Sequence, residues 1–197
     1  MKSKIFSIAL LALLTCSFAA AQEGAVTVPR NLAELTAQAQ TIVRGTIVSA
    51  VVEPHPTLTN LKTVVVIMHV DKTFKGQAGQ TLTYRQFIWD VRDKLSAGGY
   101  QKGEHVILLL NPASSIGLTS TAGLGQGRFH ISRDANGVEY AMNDRRNTNL
   151  MRGLPETLSA KGVKLNAELN TLVTRQAAGP IRADQLQSLI TTISQGK

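Results

Sequence analysis

The sequence predicts a mainly β fold, α+β overall: a small antiparallel barrel with a short N-terminal helix and a helical C-terminal extension. Three observations carry that expectation. Short apolar, β-branched segments recur between 41 and 142, divided by glycine and proline. Asn136-Gly137 lies between two of them, as in a tight hairpin, because both residue types tolerate positive φ. After Asn147 the apolar residues change to helical spacing.

The elements follow in order. Asn31 stands three residues before Glu34, the signature of a capping box, and Leu32 and Leu35 would face the core of the helix it starts. Residues 41–52 read as a strand rich in Ile, Val and Thr, with Gly45 marking a bulge or bend and Pro54 and Pro56 ending it. Residues 61–74 form a second strand and Lys75, Gly76 and Gly79 a turn. The third strand, 81–89, puts Leu82, Tyr84, Gln86 and Ile88 on one face. Residues 90–103 are a polar connection and 104–110 a short buried strand ended by Asn111-Pro112. The small, glycine-rich stretch 113–128 predicts a mobile surface loop. The hairpin 129–142 comes next. Leu158, Leu165, Leu169 and Leu172 then mark one or two helices, Gly179-Pro180 a break, and 183–194 a final amphipathic helix with Leu186, Leu189, Ile190 and Ile193 on one face.

The start of the chain reads as a secretory signal peptide. Lys2 and Lys4 precede an apolar run from Ile5 to Leu14, and Ala19 and Ala21 fit a small-x-small cleavage site, so cleavage is expected after Ala21. The run falls short of the ~20 apolar residues that span a bilayer. The expected product is exported, to the periplasm or beyond. A lipoprotein acylated at Cys16, the one cysteine, is the alternative. Cleavage after Ala21 leaves no cysteine, hence no disulfide in an oxidising compartment, so the fold must rest on its core. The expected organisation is a leader, 1–21, a barrel domain, 22–146, and a helical extension, 147–197. The formal net charge of +8 falls by two without Lys2 and Lys4, to about +6. That bias favours weak attraction to anionic surfaces. The basic residues are spread along the chain, so nucleic acid is a poor candidate partner.

Three segments carry a family resemblance. They are Ala39-Gln40-Thr41-Ile42-Val43-Arg44-Gly45-Thr46-Ile47-Val48, the valine-rich strand ending Phe74-Lys75-Gly76, and Gly103-Glu104-His105-Val106-Ile107-Leu108-Leu109-Leu110. Together they resemble bacterial exported proteins of the netrin-like, tissue-inhibitor-of-metalloproteinases superfamily, over about residues 32–142. The resemblance implies an OB-like five-stranded barrel and a leaning towards protein binding. It does not carry over the inhibitors' mechanism, which needs a disulfide-bonded N-terminal cysteine where this chain would begin with Gln22.

No catalytic signature stands out. His55, His69, His105 and His130 lack metal-ligand spacing, and no cofactor is expected. Ser114, Ser115 and Ser120 have no nucleophile-elbow context, and the glycines at 123, 125 and 127 precede a strand instead of opening a helix. Asp90 and Asp93 alternate with Arg92 and Lys94, as in a solvated connection. The aromatics do not line one face, so they form no base-stacking platform. The sequence therefore points to an exported, non-catalytic binding or accessory protein whose partner is another exported or envelope protein. The expected contact surfaces are loop residues Trp89, Arg92, Tyr100, Ser115, Gly123, Gln126 and Arg128. The rivals are a hydrolase with a site assembled from distant residues and a carbohydrate- or anion-binding module.

Overall fold

The computed structural model describes residues 27–88 and 96–196. The expected leader, Cys16, Trp89 and Arg92 lie outside these residues. The chain forms a seven-stranded antiparallel sheet with four α-helices: α1 (Leu32–Gln38), β1 (Thr41–Pro54), β2 (Lys62–Lys75), β3 (Thr81–Phe87), β4 (His105–Leu110), β5 (Arg128–Arg133), β6 (Glu139–Asn143), α2 (Leu154–Ala160), α3 (Ala167–Arg175), β7 (Ile181–Arg182) and α4 (Ala183–Gln195). The strand order is β3-β2-β1-β4-β5-β6-β7. No helix among the described residues is long and apolar enough to cross a membrane.

The predicted helix start is present in full. The Asn31 side-chain oxygen accepts from the Glu34 amide at 3.0 Å, and Glu34 Oε2 accepts from the Asn31 amide at 2.8 Å. Such a cap contributes about 1 kcal/mol. Gly45 sits at a register shift between β1 and β2. A Cβ there would overlap the His69 carbonyl oxygen, so the two backbones approach closely only because residue 45 has no side chain.

Residues 113–117 of the stretch 113–128 are exposed, as its composition predicts, but 118–127 pack against the strands. Leu118 bridges in parallel to Arg85 of β3, and Thr121 bridges antiparallel to Leu110 of β4. The Thr119 amide donates to the Arg85 carbonyl at 2.8 Å, the Asn111 amide to Ser120 at 2.9 Å and the Ala122 amide to Leu109 at 2.7 Å. Residues 118–121 thus join β3 to β4 and close β3-β2-β1-β4 into a ring. Thr121, Ala122, Gln126 and Gly127 are buried behind it. Small residues were read as flexibility; here they allow close packing. A Cβ on Gly127 would stand 2.5 Å from the Ala122 carbonyl oxygen.

The Asn-Gly hairpin forms, with one difference. Only Gly137 takes positive φ, at 80°. Asp134 supplies the rest of the turn, its Oδ1 accepting from the amides of Asn136 and Val138, both at 2.9 Å.

Two apolar clusters lie on opposite sides of the sheet. Inside the ring are Val43, Ile47, Val64, Val66, Met68, Tyr84, Ile88, Tyr100, Val106, Leu108 and Leu110. On the other side Ile42, Ile107, Leu109 and Phe129 pack against Leu32 and Leu35 of α1, Leu154 and Leu158 of α2, Leu169 and Val173 of α3, and the apolar face of α4. Strand β4 serves both, because successive side chains point to opposite faces. The C-terminal helices therefore share a core with the strands, and β7 adds Ile181 to the sheet beside Ala141. Each fully buried leucine of α4 contributes roughly 1.5–3 kcal/mol.

Replacing Gly45 by alanine is expected to destabilise the fold by about 1–3 kcal/mol, the usual range for forcing extra volume into a packed site. Urea unfolding of the variant beside the parent protein measures this; an unchanged midpoint would contradict the close approach.

Candidate functional site

A charged cluster lies against the ring, held by residues far apart in sequence. His130 of β5 stands between Glu104, just before β4, and Asp144, just after β6. Its Nδ1 faces Glu104 Oε1 and its Nε2 faces Asp144 Oδ1 at 2.5 Å. A carboxylate only accepts, so both ring nitrogens must donate and the ring is an imidazolium. The bonds to Asp144 and then Glu104 outweigh partial burial and raise its pKa to about 9. Arg128, two residues earlier on the same strand face, donates to Asp144 Oδ2 from Nε at 3.0 Å and from Nη2 at 2.7 Å. Its Nη1 donates to the Gly98 carbonyl at 2.5 Å, and the guanidinium lies over the Tyr100 ring at 4.6 Å. Burial pushes the Asp144 carboxyl up, but His130 and Arg128 overcome it and hold the group below its usual range.

The cluster continues inward. The Tyr100 hydroxyl donates to Gln86 Oε1 at 3.0 Å, and the Tyr100 ring meets Tyr84 edge-on at 6.1 Å. Burial raises the pKa of both phenols. With both nitrogens donating, His130 has no lone pair with which to accept a proton or bind a metal. This geometry makes the cluster a clasp that ties β4, β5, the end of β6 and the 97–99 turn together. Arg128 was expected in the loop before the hairpin; it opens β5 instead, and Arg128 and His130 share a face because alternate strand residues do. The carboxylates that answer them, 26 and 14 residues from His130, carry no spacing signal.

The second feature is a groove of about 630 Å³ lined by Phe87, Asn111, Pro112, residues 114–116 and residues 118–120. Its apolar surface comes from Phe87, Pro112, Ile116 and Leu118. The wall is held in place. Ser114 and Leu118 bond to each other, Ser114 amide to Leu118 carbonyl at 2.8 Å and Leu118 amide to Ser114 Oγ at 3.1 Å. His55 pins it from outside the loop. His55 Nδ1 accepts from the Leu58 amide at 3.1 Å, so Nε2 carries the proton and donates to the Ile116 carbonyl at 2.9 Å. The histidine between prolines is thus buried and structural, and it leaves the Ile116 side chain 45% exposed.

The expected contact residues separate accordingly. Ser115 is exposed on the groove. Tyr100 and Gln126 are 4% and 5% exposed, so neither is a surface contact. Tyr100 packs inside the ring. Gln126 accepts from the Arg30 amide at 2.8 Å and donates towards Thr27 and Val28, tying 27–30 to the fold. Arg128 is committed to the clasp. Gly123 has φ of 60° at the start of the 3-10 turn Leu124–Gly127, where its backbone serves the fold. Comparison with protein-family models, curated proteins and solved structures gives no match.

His130 makes stability depend on alkaline pH. Its pKa is raised from about 6.5 when unfolded, so its contribution is complete below pH 6.5 and is lost as pH rises through about 9. The loss is expected to be on the order of 1–2 kcal/mol, because solvent screens a site about a third exposed. Urea unfolding at pH 6 and pH 9.5 should show it, and His130→Gln should flatten the difference. An equal slope in the variant would assign the effect elsewhere.

Proposed function

We propose that this is an exported, non-catalytic binding protein that receives an extended apolar segment of another exported or envelope protein in the 112–120 groove. The observation that carries this reading is the groove itself: an apolar floor with an exposed Ile116, on a wall pinned by His55. A wall fixed before binding loses less entropy on association than a mobile loop does. The groove also offers polar groups beside its apolar ones, Ser114, Ser115, Thr119 and Ser120, as extended-segment recognition requires. The resemblance to the netrin-like superfamily and the secretory start of the sequence support the same reading. Protease modulation is its sharper form.

The test is to produce the chain with a C-terminal tag in its source organism, recover it from the periplasm and identify stoichiometric partners by mass spectrometry. Ile116→Asp should lower affinity for such a partner roughly 30-fold or more, as for a central apolar anchor costing about 2 kcal/mol or more. Ser132→Asp, on exposed strand surface away from the groove lining, should not. A partner retained equally by both variants would move the contact off the groove. A partnerless protein that turns over ester, peptide or glycoside substrates would favour the hydrolase.

A further inference from the structure

Beside α4 the surface carries a trough built from five strands and the helix. Its first hollow, about 450 Å³, is lined by Arg44 of β1, Arg133 of β5, Glu139 of β6, Arg182 of β7 and Asp184 of α4. The second, about 480 Å³, is lined by Lys72 of β2 with Ser188, Thr191 and Thr192 of α4. The two meet at Asp184 and Gln187, which line both. Arg44 and Lys72 are cross-strand partners in β1 and β2, so the hollows also adjoin along the sheet. Both carboxylates have both oxygens engaged. Glu139 Oε2 accepts from Arg44 Nη2 at 2.7 Å, and Oε1 accepts from Arg133 Nε at 3.2 Å and Nη2 at 2.9 Å. Asp184 Oδ1 accepts from Arg182 Nε at 3.2 Å and from the Gln185 amide at 2.8 Å, and Oδ2 accepts from Arg182 Nη2 at 2.7 Å. The cations are not used up in return. Among the described residues, Nη1 of all three arginines makes no hydrogen bond, and Lys72 holds no carboxylate, its Nζ standing 4.9 Å over the Phe74 ring. Arg133 and Arg182 are 67% and 50% exposed, and pairs this open to water add little to stability.

The lining selects its ligand. Four cations face two carboxylates, so the trough has a surplus of positive charge and of N–H donors. What fills it must bring negative charge and acceptor oxygens, and a guanidinium with free N–H groups matches a sulfate, phosphate or carboxylate group. The remaining polar groups are acceptors. Gln187 Nε2 donates to the Ala183 carbonyl at 3.0 Å, which leaves Oε1 to accept. The Thr191 and Thr192 hydroxyls donate to the carbonyls of Gln187 and Ser188 at 2.8 Å and 2.9 Å, which leaves their lone pairs to accept. Sugar hydroxyls donate to such groups. Among the described lining residues Val138 is the one aliphatic side chain, so an apolar peptide would bury almost nothing here. The cations are spread along two hollows, so an extended ligand engages all of them where a single ion would not. We propose that this trough binds an anionic polysaccharide chain. It shares no lining residue with the 112–120 groove, so the two readings stand or fail separately.

The experiment measures binding of the protein recovered from the periplasm to dextran sulfate and to uncharged dextran, two probes with the same sugar backbone. Binding is expected to dextran sulfate alone, and it should fall away in about 1 M salt, where charges are screened within about 3 Å. A hydrogen bond to a charged group is worth about tenfold or more in affinity. Arg133→Gln with Arg182→Gln should therefore weaken binding about 100-fold, with unchanged thermal unfolding, and Lys72→Gln alone about tenfold. The charge-matched control is Arg145→Gln with Arg175→Gln, both exposed and outside the trough, and it should cost about threefold at most. No binding to dextran sulfate, or equal binding to uncharged dextran, would overturn the proposal. So would an equal loss in the control, which would make the attraction one of net charge. Full displacement by inorganic sulfate, with Lys72→Gln silent, would reduce the trough to a single-ion site and overturn the polymer. Tighter binding to phosphatidylglycerol vesicles than to dextran sulfate, lost in the Arg133 and Arg182 variant, would overturn it in favour of a lipid surface.

Discussion

The architecture depends on a few backbone hydrogen bonds made by residues 118–122. They bond to β3 on one side and to β4 on the other, and so close β3-β2-β1-β4 into a ring from which β5, β6 and β7 extend. An unpaired edge would expose a row of amides and carbonyls and invite pairing with other chains. The closure also fixes the groove, because Leu118, Thr119 and Ser120 are at once bridging residues and groove lining. The groove proposed for binding is therefore the outer side of the same segment that completes the wall.

The strands were legible because burial imposes a period. In β3 and the residue after it, the alternation of Leu82, Tyr84, Gln86 and Ile88 describes the inward face correctly, Gln86 included, because Tyr100 supplies its hydrogen bond. The apolar stripe of α4 was equally plain, and all four of its named residues are buried. The ring closure was not legible. Leu118 and Thr121 pair through single bridges, and an isolated bridge leaves no pattern of side chains. Small residues in 113–128 support two opposite outcomes, freedom and close packing, and only the neighbouring strands decide between them.

The candidate sites show the same division. Ser115 could be placed on a surface because Ala113, Ser114 and Gly117 around it are small. Tyr100, Gln126 and Arg128 could not be placed, because each is committed to a partner far away in sequence: Gln86, the 27–30 backbone and Asp144. The clasp around His130 gathers two cations and two carboxylates, so its charges balance internally. That balance explains how a chain with a basic surplus can bury part of it at modest cost.

Strand β4 has a consequence of its own. Val106, Leu108 and Leu110 belong to the ring interior, and Ile107 and Leu109 to the helical side. A partition wall shared by two rooms cannot be removed from one alone. The amides of this strand should exchange their hydrogens with solvent only when the whole molecule opens, so the barrel and the helices melt as one unit and neither persists as a fragment.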